Sequence, residues 1–197
     1  MNEKELEVGR VLEAGTRGFA IGCAVMQPDI PAFGSFVKAE LEASGRVIYG
    51  LIYDVRVEDD PFVRQFIGAN PPDEVVMDQR ENRQVPIEVR ILAVGCSEGA
   101  VIRHCLPSQP PVTLDWLYQC SDGEVRIFTQ RFDYFRLILE AREAPSDELL
   151  AASVRAAAAA RPGGEREAFL VDAGRELVRL LAGDPTRLEG VLQRLRA

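Results

Sequence analysis

The stretch that most constrains the fold is residues 33–55, FGSFVKAELEASGRVIYGLIYDV. Phe36, Lys38 and Glu40 alternate with Val37, Ala39 and Leu41. That period of two belongs to a strand with one buried face. Ala43-Ser44-Gly45 supplies a turn, with Gly45 suited to positive φ. Residues 47–55 are then rich in β-branched and aromatic side chains and carry almost no charge, so they read as a central strand covered on both faces. Gly50 in its middle marks a bulge or a close backbone approach, as at a barrel corner; the other reading of it is room for a ligand.

The same punctuation runs along the first half of the chain. Val8–Glu13 and Phe19–Met26 read as strands around a turn at Gly15-Thr16-Arg17-Gly18, and Pro28 and Pro31 mark a connection. Residues 85–96 form a long strand, with Ile87, Val89, Ile91 and Ala93 on one face and Glu88 and Arg90 on the other. Gly99 to His104 returns as a sixth strand, and Pro107, Pro110 and Pro111 end the β region. Short strands at regular spacing point to a small barrel or sandwich. Residues 56–84 break the pattern. Asp60 as N-cap and Pro61 at N1 open a short helix with Phe62, Phe66 and Ile67 on one face, and Pro71-Pro72-Asp73-Glu74 opens a second. This insertion is either a functional arm or a plain connection.

Past the prolines the period becomes helical. Ser121-Asp122-Gly123-Glu124 is a capping box opening a helix to about Ala141, with Val125, Phe128, Phe132, Phe135 and Leu139 as its stripe. Pro145-Ser146 opens an alanine-rich helix that Pro162-Gly163-Gly164 stops, and two more follow, before and after Gly183-Asp184-Pro185. The predicted fold class is α+β: a small N-terminal β-barrel of about six strands over residues 7–112, with inserted short helices at about 57–84, then an all-α domain of about four helices over 113–197.

Composition narrows the function. The net charge is −8, and up to Cys120 there are 11 Lys and Arg against 18 Asp and Glu. Such a surface repels nucleic acid. No apolar run approaches the ~20 residues that cross a bilayer. Nor does the polar start, Met1-Asn2-Glu3-Lys4-Glu5, have the form of a secretory signal, so a cytoplasmic protein without membrane insertion is expected. Cys23, Cys96, Cys105 and Cys120 include no CxxC pair, and His104 is the one histidine. Zinc spacing is absent, and the thiols read as small buried groups in a reducing compartment. No Gly-Lys pair occurs, which excludes a P-loop, and no G-x-G-x-x-G is present. His104 reads as a partly buried structural residue rather than a general base. No catalytic, cofactor-binding or metal-ligating residue is assigned, and no cofactor is expected.

The opening Val8-Gly9-Arg10-Val11, the Phe33-Gly34-Ser35-Phe36-Val37 entry, the strand centred on Gly50 and the apolar strand ending at Gly95 together resemble the HAS barrel. This small β-barrel is named for HerA-type DNA-translocating ATPases and ATP synthase subunits, and the resemblance spans roughly residues 7–112. In HerA-type proteins a P-loop domain follows the barrel; here helices stand in its place, and the insertion is larger than a barrel loop. The family's barrel is not catalytic: it assists ring assembly and docks partners. The resemblance therefore implies a non-enzymatic interaction or assembly module that docks a protein, such as a HerA-type ATPase ring or an ATP synthase-like assembly, and it is compatible with a homo-oligomer. Phe62, Phe66, Phe128 and Phe132 are the candidate partner surface, although the last two, with Phe135, read first as internal core. Two other classes stay open: a nucleic-acid-associated barrel, which the acidic charge opposes, and an enzyme with an acidic site formed between insertion and helices.

Overall fold

Why the chain closes into a barrel is visible in its longest strand. A computed structural model describes residues 6–26, 31–41, 45–57, 61–82, 84–99 and 101–196. In it β5 (Gln84–Glu98) pairs along one edge with β4 (Arg46–Val57) and along the other with β2 (Gly18–Met26). β2 pairs with β1 (Glu7–Ala14), and β4 with β3 (Phe36–Leu41). A four-residue strand, β7 (Trp116–Gln119), lies between β1 and β3 and completes the ring. Every pairing is antiparallel, and the closed order is β1-β2-β5-β4-β3-β7.

Closure requires tilt and bending, and the ladders supply it with register shifts. One falls between Tyr49 and Gly50, opposite Val94. Inside, Ile48, Ile52, Ile87, Val89, Ile91 and Ala93 belong to one core with Val11, Ile21, Val37 and Leu117. Gly50 is the close approach expected of it: a Cβ there would stand 2.2 Å from Ile91 Cγ2. Ile91 is fully buried and has no room to withdraw, so the space is taken by the barrel's own side chain rather than left for a ligand.

The sixth barrel strand is not the one expected. Gly99 to His104 gives only β6 (Val101–Arg103), which adds to the free end of β5 outside the ring. The ring's sixth member is β7, beyond the boundary placed at 112. The prolines do end one run of pairing, but the chain re-enters the sheet after the turn at Val112–Asp115. Of the expected features, Pro28, Ala43, Ser44 and Asp60 lie outside the described residues, whereas Gly45 does adopt φ +62°.

The helices cover one side of this barrel. They are α3 (Asp122–Phe128), α4 (Tyr134–Leu139), α5 (Ser146–Ala159), α6 (Gly163–Leu180) and α7 (Pro185–Arg196). The stripe expected on one long helix is divided among α3, α4 and, at Phe132, the turn between them, and all of it still packs in the helical core. α5 lies at the centre, with Leu149, Leu150, Val154, Ala157 and Ala158 buried. Its alanines permit close approach: Gly34, at φ +84°, sits where a Cβ would come within 2.5 Å of Ala152 Cβ. The outward faces of β3, β4 and β5, through Phe36, Tyr49, Leu51, Leu92 and Val94, join the helical core. The uncharged middle of β4, residues 48–52, is therefore dry on both faces.

Glycine substitutions should separate crowding from entropy. Gly50→Val is expected to cost about 3 kcal/mol or more, by overpacking against Ile91. Gly174→Ala, in α6 with nothing within 4 Å of its Cβ, is expected to gain up to about 1 kcal/mol. Urea unfolding of both variants checks this; an unchanged midpoint for Gly50→Val would remove the crowding account.

Candidate functional site

Two places concentrate polar or exposed features: the seam between barrel and helices, and the arm between β4 and β5. At the seam, Lys38 points outward from β3 yet is only 5% exposed. Its Nζ lies 2.8 Å from Glu124 and 3.0 Å from Glu40. Glu124 is the glutamate of the expected capping box, accepting from the Ser121 backbone N–H while the Ser121 hydroxyl accepts from the Glu124 N–H. One carboxylate thus caps α3 and ties it to the barrel. Burial works to raise the pKa of Glu124, but bonds from Lys38 and Ser121 outweigh it and hold the group below its usual range.

The other end of α3 explains why one predicted helix became two. His104 Nε2 donates to the Phe128 carbonyl at 3.0 Å, which fixes the Nε2–H tautomer. Arg161 donates to the Thr129 hydroxyl at 2.9 Å and to the Ala157 carbonyl at 2.6 Å, and its guanidinium lies 3.7 Å above the Phe169 ring. The Thr129 hydroxyl itself donates to the Val125 carbonyl. His104 thus satisfies the Phe128 carbonyl and Arg161 also reaches the Thr129 carbonyl at 3.3 Å, so the end of α3 is completed from elsewhere in the chain where the helix stops, and helix resumes at Tyr134. Burial pushes the His104 pKa down, against the pull of the Phe128 carbonyl and Asp133. The Tyr134 hydroxyl is fully buried beside the Ser153 hydroxyl, which itself donates to the Leu150 carbonyl.

A recess of about 500 Å³ opens beside this cap, between Arg103, His104, Gln130, Arg131 and Asp133. Part of its lining is engaged: Arg131 meets Asp133 at 2.8 Å, and the His104 ring is committed to the helix end. A second recess, near 380 Å³, lies between Arg17, Tyr53, Arg90 and Glu143; there Arg90 pairs with Glu88 at 2.8 Å, and Arg17 lies 3.7 Å from Glu143. Among the described residues no three His, Cys, Asp or Glu side chains gather as metal ligands.

The arm is α1 (Pro61–Gly68) and α2 (Asp73–Asn82). Asn70 at φ +46° turns the chain between them, its N–H donating to the Ile67 carbonyl, and Pro71 follows. This is a left-handed helix C-cap with Asn in the place glycine often takes. α2 touches β2. Ile67 is 69% and Met77 60% exposed, and Val63 and Val75 are exposed as well. Val63 and Ile67 are four residues apart and share a face.

The four candidate surface phenylalanines divide. Phe128 is 1% exposed and packs among Phe36, Tyr49, His104 and Tyr134, so it offers no surface to a partner. Phe132 packs on Phe135 and Phe169 at the edge of the same core. Phe66 is half-buried on α1, and the side chain of Phe62 lies outside the described residues. The exposed apolar residues are instead the aliphatic ones beside them, which a search for aromatic anchors passes over.

No known protein family matches the chain, and no curated protein does either.

One substitution and one titration test the seam. Lys38→Met is expected to cost about 2 kcal/mol by leaving the Glu124 carboxylate without its buried cation. For His104, whose folded pKa is depressed, the unfolded chain takes up a proton first as the pH falls below about 6.5. Stability is therefore full above that value, declines down to the folded midpoint and then levels. As the single histidine, its proton resonances report that midpoint directly; a value at or above about 6.5 would remove the burial argument.

Proposed function

We propose that this chain is a non-enzymatic docking or assembly module, which binds a protein partner through the α1–α2 arm. The observation that carries the reading is the arm itself: two short helices joined by a left-handed turn, α2 lying on β2, with Ile67 and Met77 well exposed on it. Apolar side chains held on a built helix–turn–helix arm suit a groove on another protein. Asp73 and Glu74 stand in the first turn of α2, so the partner's groove is expected to have basic residues on its rim. The resemblance of residues 7–112 to the HAS barrel supports a ring ATPase, of the HerA or ATP synthase-like type, as the class of partner. The acidic balance up to Cys120 favours a protein partner over nucleic acid.

The test uses tagged wild type and the double variant Ile67→Glu/Met77→Glu in native cells. Wild type is expected to recover one partner in near-stoichiometric amount, identifiable by mass spectrometry. The double variant should unfold at the same temperature and lose that partner. Retention of the partner by the double variant would sink the arm as the docking surface, and recovery of the wild type alone would sink docking itself.

A further inference from the structure

Cys96 and Cys105 are nine residues apart in sequence, yet their Sγ atoms lie 3.8 Å from each other. The antiparallel β5–β6 pairing places Arg103 opposite Cys96. The strand then ends, and the two residues after it turn opposite ways. His104 turns into the seam, while Cys105 lies over Cys96. Cys105 is exposed and Cys96 half-buried, unlike Cys120, which is buried. We propose that Cys96 and Cys105 form an intramolecular disulfide when the surrounding small-thiol pool becomes oxidised, and that this bond fastens the His104 cap onto α3.

The roles follow from access. Burial, and then the neighbouring Cys105, push the Cys96 thiol up to about 11, which suits it poorly as the first nucleophile. The exposed Cys105 attacks first. Its thiolate takes one sulfur of a small disulfide such as oxidised glutathione; that S–S bond breaks, a mixed disulfide forms on Cys105, and one glutathione thiolate leaves and picks up a proton. Cys96 then releases its proton to solvent and attacks Cys105 Sγ, expelling the second glutathione thiolate. Two protein thiols are oxidised to one disulfide, and one glutathione disulfide is reduced to two thiols. The sulfurs need to close from 3.8 Å to bonding distance, about 2 Å, which side-chain rotation can supply in the exposed turn. The closed loop contains His104, so oxidation restrains the segment whose imidazole caps the Phe128 carbonyl.

The experiment incubates the full chain with oxidised glutathione and maps peptides without reduction. The expected product is a monomer with two of its four thiols lost and residues 96 and 105 joined. Cys96→Ala should stop at a glutathione adduct on Cys105, and Cys23→Ala should leave the bond intact. The histidine resonances should shift on oxidation of wild type and stay in place for Cys96→Ala. A wild-type chain that keeps a glutathione adduct on Cys105, links to a second chain through it, or fails to react would overturn the proposal. A bond that forms without moving the histidine resonances would overturn the fastening of the cap.

Discussion

The structure depends on the middle of β4 and of β5, residues 48–52 and 91–95, having no wet face. On the inner side Gly50 admits Ile91; on the outer side Gly95 admits Phe128, where a Cβ would stand 2.8 Å from the Phe128 ring. These two absences of side chain set how closely the ring closes and how closely α3 lies against it. Each large residue fills the gap that a glycine leaves, and neither contact relaxes without the other side of the same pair of strands moving. The barrel and the helices therefore share one structural wall rather than meeting as two finished bodies.

Polar groups along that wall act as fasteners at the two ends of α3. At the start, a glutamate fixed by the helix's own capping pattern also neutralises a buried lysine from the barrel. At the finish, a histidine from the β6 turn and an arginine from the end of α5 complete the carbonyls. Seven residues of helix are thus held by three distant parts of the chain. So short a helix has little stability of its own. Its position comes from those anchors and from Phe128.

This division explains what could be read in the sequence. The strands with alternating or uncharged patterns, the capping box, the arm's two helices and the close approach at Gly50 are all local signals, and each stands where its pattern put it. What escaped was set at long range. Trp116–Gln119 is too short to show a period, and it is a strand only because β1 and β3 leave a gap of its width. The break after Phe128 is invisible to periodicity, since the stripe from Val125 to Leu139 keeps its spacing across it. The approach of Cys96 to Cys105 needed the β5–β6 turn. In the arm, the aromatic residues drew attention because large rings usually anchor interfaces, while the exposed positions were aliphatic.

The placement of β7 has a consequence for synthesis. β1 emerges early from the ribosome, but its second neighbour is more than a hundred residues behind it. Until that neighbour arrives, β1 and β3 both present an unpaired edge to whatever is nearby. A nascent chain stalled after the prolines would hold five of the six staves and an open seam, a form prone to join with another of its kind. The four residues that close the ring also end that exposure, and the capping box begins two residues later.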